Sequence, residues 1–235
     1  MGITLERHVR GAALEEALAA LLYDPRARER LRSGTADDPL FGRLDLNELD
    51  EAARTVRRMV LERTHRGTGD LTVLFSRTIA AWKTYFPNDT SLDNMLSSFC
   101  SSAACAAWRE GFATNLGLSF EEAFFRFFSE QEIGDRDELE EEFLGAMVRA
   151  LAISPRARFV WPAQVLPAPG GCYAITRRHI LHAALDGRYQ RGPVTPLVVA
   201  LLSGRTVEET ARNFGVGEGQ ITAVVTVLRA KRLIR

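Results

Sequence analysis

Hydrophobic residues in the first 150 positions recur every three or four residues, which is the spacing of one face of an α-helix. Six such stretches follow one another, with apolar stripes that begin at Leu14, Leu49, Leu71, Leu92, Phe120 and Leu139. The fifth stretch opens on Ser119 and Glu122 in the spacing of a capping box. Because each helix must bury its stripe against another element, the pattern predicts a bundled or orthogonal helical domain over residues 1–153.

The pattern changes in residues 154–172, which contain four prolines and two adjacent glycines. This composition predicts an extended linker with one short strand at Arg158–Trp161. Beyond the linker, residues 173–182 have the pattern of a strand. Residues 183–190 predict a second strand around Asp186-Gly187, which is a favourable pair for a hairpin turn.

Three helical stretches complete the chain, over residues 195–203, 206–214 and 218–232. The second begins with a capping box of Thr206 and Glu209, and Gly215 follows where a helix often ends in a left-handed residue. This spacing predicts a helix-turn-helix. The predicted fold is therefore mainly α. It consists of an N-terminal helical domain (1–153), a Pro-rich linker (154–172) and a winged-helix-like module (173–235) whose strands precede three helices.

The formal net charge of zero is the sum of two opposite parts. Residues 1–172 carry 20 basic and 26 acidic side chains, whereas residues 173–235 carry 10 basic and 4 acidic ones. A basic module on an acidic body predicts a different partner for each part. No apolar run approaches the length of a membrane span, and the N-terminus lacks the apolar region of a signal peptide, so we expect no membrane partner and a cytoplasmic location.

The sequence contains no motif typical of a metal site or a catalytic centre. The four histidines belong to no HExxH motif, and no nucleophile elbow, P-loop or dinucleotide fingerprint occurs. Glu138 and Glu140–Glu142 form either an acid–base pair or, as we favour, a solvated helix face. We expect no catalytic residue, no metal and no cofactor in this chain. One alternative function is a stand-alone enzyme, whose active site would be formed by residues that are distant in the sequence.

The cysteines Cys100, Cys105 and Cys172 match neither a disulfide framework nor a zinc motif. We expect them to be buried and reduced, as small hydrophobic residues. On a single helix, a spacing of five would direct Cys100 and Cys105 to different faces.

The helix-turn-helix makes a DNA-binding transcription regulator the alternative function. A helix that reads DNA presents long hydrogen-bonding side chains at its first turns, and residues 217–222 offer Gln220 and, less favourably, Thr222. Glu218 would face phosphates unfavourably, and the basic residues of this helix lie at its far end. Nucleic acid is therefore the less favoured partner.

The order of strands followed by three helices leads to a resemblance. Residues 201–216 (LLSGRTVEETARNFGV) and 228–234 (LRAKRLI) resemble the recognition elements of ribosomal-peptide modification systems, of the type found in the small chaperone of pyrroloquinoline quinone biosynthesis. The resemblance covers about 40 residues. It implies that a leader peptide is bound as an added strand beside the last helix.

The front half resembles another family of the same kind of pathway. Its stretches AWKTYFP (81–87), GLSFEEAF (117–124), ELEEEFLGAMVRALAI (138–153), RFVWP (158–162) and GCYAI (171–175) resemble the partner proteins of multinuclear non-heme iron-dependent oxidative enzymes. Such partners serve methanobactin and 3-thia-amino acid biosynthesis. The resemblance implies a non-catalytic subunit that forms a heterodimer with an iron-containing TIM-barrel enzyme and brings it the precursor peptide.

We expect eight residues to face the leader peptide. On the strand side they are Ile180, His182, Arg188 and Tyr189. On the last helix they are Thr222, Val225, Thr226 and Arg229.

Overall fold

The protein is described from a computed structural model that covers residues 17–18, 20–34, 45–61, 70–87, 92–112, 119–154 and 165–235. The helices before the sheet are α1 (Pro25–Arg32), α2 (Leu46–Leu61), α3 (Leu71–Leu74), α4 (Ser76–Tyr85), α5 (Leu92–Cys100), α6 (Ala103–Phe112), α7 (Phe120–Gln131) and α8 (Arg136–Ile153). The strands are β1 (Val165–Ala168), β2 (Gly171–Ile175), β3 (His179–Ala184) and β4 (Tyr189–Pro193). The helices after the sheet are α9 (Pro196–Leu202), α10 (Val207–Phe214) and α11 (Glu218–Ala230).

An aromatic core holds the helical body together. Phe124 of α7 is fully buried, and its ring meets the rings of Phe75 and Phe99 edge to face at 5.0 and 5.1 Å between centroids. The predicted capping box positions this helix. The Ser119 hydroxyl accepts the Glu122 amide at 3.1 Å, and the Glu122 carboxylate accepts the Ser119 amide at 2.7 Å.

Two of the predicted helices are divided in the structure. The chain bends at Phe75, between α3 and α4, and α5 ends at Cys100 before α6 begins at Ala103. The hydroxyl of Ser102 accepts the Cys105 amide at 3.1 Å and so caps the new helix. Because of this break, the two thiols meet instead of facing apart as expected, and a hydrogen bond from Cys100 lowers the pKa of Cys105.

The four strands form an antiparallel meander in the order β1-β2-β3-β4. The predicted turn at Asp186-Gly187 joins β3 to β4, where Gly187 has a φ of +83° that favours glycine. The strand predicted over residues 173–182 is two strands. A turn separates them, in which the Thr176 hydroxyl accepts the His179 amide at 2.9 Å.

The predicted linker also differs from the structure. Strand β1 and the first residues of β2 fall within residues 154–172 and belong to the sheet. Pro167 fits into β1 because this strand is at an edge of the described sheet, where a missing N–H does not break a ladder. The strand predicted at Arg158–Trp161 lies outside the described residues.

Helices cover both faces of the sheet, so four consecutive residues of β3, Ile180–Ala183, are buried. Leu181 and Ala183 pack against α8, where they meet Val148. Ile180 belongs to a second cluster on the opposite face, with apolar residues of α9 and α11. One sheet therefore joins the helical body to the C-terminal module.

The C-terminal helices lie where they are predicted, although α11 ends at Ala230 rather than at residue 232. Thr206 and Glu209 form both bonds of the capping box, and Gly215 ends α10 with a φ of +62°. The next helix, α11, buries Ile221 and Val225. The fold is thus mainly α, with a helical N-terminal part and a winged-helix-like C-terminal module. None of the helices in the described ranges is long and apolar enough to span a membrane.

Candidate functional site

A groove runs between the edge strand β4 and the last helix α11. It encloses a cavity of about 170 Å³. Its apolar walls consist of Ile180, Val198, Val224, Val227, Leu228 and Leu233. Since 53% of Val227 is exposed, the groove presents apolar surface to solvent beside an edge strand.

The outer edge of β4 has hydrogen-bonding groups directed away from the sheet. The Ala184 amide donates to the Arg188 carbonyl at 2.9 Å, and the Val194 amide donates to the Arg178 carbonyl at 3.1 Å. In an antiparallel pair, hydrogen-bonded positions alternate. The main-chain groups of Tyr189 and Arg191 therefore point outward, and within the described sheet no further strand pairs with them.

The groove continues at one end into a second cavity of about 410 Å³. The two cavities share His182, Gln190 and Lys231. Arg188 and Arg232 add positive charge to the second cavity. The Arg188 guanidinium is paired with Asp186 at 2.7 Å, whereas no carboxylate among the described residues pairs with Lys231 or Arg232. This end of the groove is therefore basic.

His182 lies on the wall that the two cavities share. Its side chain is buried, with 7% of the residue exposed, and its Nε2 atom has no hydrogen-bond partner among the described residues. Burial lowers the pKa of His182 and the nearby Lys231 lowers it further, and together they outweigh Asp186, which raises it. The imidazole is therefore neutral at pH 7 and has a polar atom without a partner beside the groove.

The structure brings three of the four predicted strand-side residues to the groove. Ile180 and His182 line it, and Arg188 lies in the second cavity. Tyr189 is on the opposite face of the sheet, where the guanidinium of Arg149 lies 4.0 Å from the centre of its ring. Its hydroxyl approaches Gly145 of α8. Tyr189 thus contacts the helical body, and an added strand would meet its main chain but not its ring.

The four predicted residues of α11 do not line the groove. Val225 is buried in the core beneath it. Thr222 and Thr226 are exposed, and each hydroxyl donates at 2.8 Å to a carbonyl one turn earlier in the same helix. Arg229 donates to the carbonyl of Arg235 at 3.0 Å.

A different set of residues lines the groove on the side of α11. They are Val224, Val227 and Leu228 of α11 and Lys231, which directly follows the helix, and their spacings of three and four place them on one face. The signal in the sequence is the width of the apolar stripe. Val224, Val225, Val227 and Leu228 cover more of the helix than one packed face requires.

A second cluster of polar residues joins α8 to the helical body and to the sheet. The Glu142 carboxylate accepts the backbone amides of Arg77 and Thr78, at 2.7 and 3.0 Å, and thereby caps α4. The Glu141 carboxylate accepts hydrogen bonds from Arg77 and Arg191 at 3.1 Å and lies 2.8 Å from His179 Nδ1.

Both carboxylates are buried, so the prediction of a solvated helix face is wrong for Glu141 and Glu142, although Glu140 is exposed. Burial raises the pKa of Glu141, but the bonds from His179 and Arg77 outweigh it and lower the pKa overall. An ionised carboxylate held by three basic side chains is a structural junction, and it has no proton to donate as a general acid.

Among the described residues, no three His, Cys, Asp or Glu side chains are grouped as metal ligands would be. Searches of family models, curated proteins and solved structures find no match for the chain.

Proposed function

We propose that this chain is the non-catalytic partner subunit of an iron-dependent peptide-modifying enzyme. It binds the leader of a precursor peptide as a fifth strand on β4 and presents the peptide to the enzyme. The observation that carries the proposal is the outward-facing edge of β4 beside the apolar groove on α11. Main-chain groups on the edge supply affinity, and the groove selects side chains, as in other cases of strand addition.

The distribution of charge supports a C-terminal module that binds the peptide and a helical body that binds the enzyme. The module carries 10 basic and 4 acidic side chains, and the basic end of the groove concentrates part of that charge. A positive field increases the rate at which an acidic peptide associates. The acidic helical body is then the part that binds the enzyme.

The shared sheet supports the presenting role. Strand β3 packs on α8 through Leu181 and Ala183, and α8 also reaches the aromatic core through Phe143. A peptide bound on β4 would therefore be held in a fixed position relative to the helical body. A fixed position is what a subunit needs in order to deliver one peptide residue to the active site of another protein.

The test is a titration of the protein with the precursor peptide encoded beside its gene. Val227→Asp places a charge on the exposed apolar wall and should weaken binding at least tenfold, which is about 1.4 kcal/mol. Thr226→Asp is the matched control, because it adds the same charge to the adjacent exposed position outside the groove, and it should leave affinity within twofold.

Two results would contradict the proposal. One is the absence of binding by a folded protein. The other is salt-dependent binding to a DNA duplex that is lost on changing Gln220, which would favour a transcription regulator instead. Metal analysis provides a separate check, since the purified chain alone should hold no stoichiometric iron while its complex with the enzyme should.

A further inference from the structure

The groove has two chemically different ends, and the sheet register shows how far apart they lie. His182 pairs with Gln190 across β3 and β4, and Ile180 pairs with Gly192. The second, basic cavity includes His182 and Gln190 but not Ile180 or Gly192. The polar end therefore lies at one cross-strand pair and the apolar end at the next pair on the same face, two residues along the strand.

The polar end is built to receive an acidic side chain. The Nε2 atom of His182 is buried without a hydrogen-bond partner among the described residues. Leaving a buried polar atom unpaired costs free energy, so a ligand that pairs with it gains affinity. Lys231 lines both cavities and Arg232 the second one. Asp186 also lines the second cavity, but its carboxylate pairs with Arg188, and no carboxylate among the described residues pairs with Lys231 or Arg232. A carboxylate accepts a hydrogen bond from the imidazole in its Nε2–H tautomer and also offsets the positive charge of Lys231.

The apolar end is built to receive a hydrophobic side chain. Gly192 has no side chain, and no atom lies within 4 Å of the position that a Cβ would occupy there. The space over Gly192 opens onto Val224 and Val227. A side chain from an added strand can therefore enter without displacing any part of the protein.

We propose that the groove selects peptides in which an acidic and an apolar residue are two positions apart. The acidic side chain pairs with His182 and Lys231 beside Gln190, and the apolar side chain packs over Gly192. Side chains of an added strand alternate between the two sides of the sheet, so positions i and i+2 both face the groove. This inference rests on the proposed function, because it requires a peptide strand on β4.

The experiment is a selection from a displayed library of nine-residue peptides with random central positions, performed on the full chain. Enriched peptides should carry Asp or Glu two positions from Leu, Ile, Val or Phe. The acidic residue comes first if the added strand is parallel to β4 and second if it is antiparallel. Enrichment at another spacing, or without an acidic residue, would overturn the inference.

Variants test whether the polar end of the groove recognises the acidic side chain. The best peptide and its Glu→Gln form (Asp→Asn where the acidic residue is Asp) should differ at least tenfold in affinity for the natural protein. For the Lys231→Gln or the His182→Phe protein, the affinities of the two peptides should differ less than threefold. Arg212→Gln removes an equally exposed charge outside the groove and should preserve the tenfold difference. Lys231→Gln changes an exposed side chain, so the test holds even if the change at buried His182 impairs folding.

The inference and the proposed function fail in different ways. If selected peptides lose binding in Val227→Asp but do not need their acidic residue, the groove binds peptide and the proposed selectivity is wrong. If no peptide is enriched, or if binding is indifferent to Val227→Asp, both are wrong.

Discussion

At the scale of single residues, His182 makes stability depend on pH. Burial keeps the pKa of this imidazole below its ordinary value of 6.5 in the folded state. Well above pH 6.5 the ring is neutral in both states and has no effect on stability. As the pH falls below 6.5, the unfolded chain takes up the proton first, so the free energy of unfolding decreases.

This pH dependence can be tested by comparing the stability of the natural protein with that of His182→Phe. Urea unfolding at pH 7.5 and pH 5.5 should show a smaller loss of stability for the variant, because phenylalanine does not titrate. Equal losses in the two proteins would mean that the buried imidazole does not determine this part of the pH dependence. A bound acidic peptide should reduce the loss in the natural protein, since a carboxylate favours the protonated ring.

Glu141 gives a second prediction at this scale. Glu141→Gln removes a buried negative charge that three basic side chains contact, and because those partners are partly exposed to solvent, the change should cost about 1–3 kcal/mol. Denaturant unfolding at pH 7 measures the loss, and Glu140→Gln, an exposed neighbour, should cost less than about 0.5 kcal/mol. A loss below about 1 kcal/mol in Glu141→Gln would show that the junction contributes little to stability.

The contribution of Glu141 also has a defined pH range. Because its pKa is lowered in the folded state, the stabilisation is complete above the unfolded value of about 4.3 and is lost as the pH falls through the folded pKa. The difference in stability between the natural protein and Glu141→Gln should therefore decrease in acid.

At the scale of elements, local signals predicted the C-terminal helices well and the strands less well. The capping residues Thr206 and Glu209 and the left-handed Gly215 are determined by the chain itself, so they can be recognised in the sequence. The strands depend on contacts with distant elements. In β3 the alternation of apolar and polar residues is lost, because α8 covers one face and α11 the other.

The same dependence explains the misplaced site residues. Tyr189 faces α8 rather than the groove because the register with β3 places it beside Ala183. The wide apolar stripe of α11 indicates that part of it lies outside the core, but which of its residues line the groove depends on how the helix packs against the sheet. The sequence predicts strands that precede the last helix, but not which side chains line the groove between them.

The packing of α8 on the sheet can be tested at Leu181. The residue is fully buried between β3 and α8, so Leu181→Ala should destabilise the protein by about 3 kcal/mol, within the usual range for a buried leucine. Leu166→Ala on β1 is the control, since 45% of Leu166 is exposed, and it should cost less than about 1 kcal/mol. Equal effects in thermal or urea unfolding would argue against the packing of α8 on this face.

At the scale of the whole molecule, the two parts with opposite charge are joined by a shared sheet. The sequence predicts two domains separated by a linker, which would permit independent folding. In the structure, α8 contributes Phe143 to the aromatic core and Val148 to the cluster beneath the sheet. Separating the parts would expose apolar surface on both.

The whole-molecule prediction follows from this shared helix. The helical body and the C-terminal module should unfold in one transition, and a fragment of residues 165–235 should be aggregation-prone, because α8 no longer covers Ala174, Leu181 and Ala183. Tryptophan fluorescence of a Trp161→Phe variant reports on Trp82 and Trp108 in the helical core, and hydrogen exchange reports on β3. If the two signals change at different urea concentrations, the module is an independent domain, and a peptide on β4 is not held in a fixed position relative to the body. If they coincide, the body and the groove are one rigid unit, as a subunit that presents a peptide to an enzyme requires.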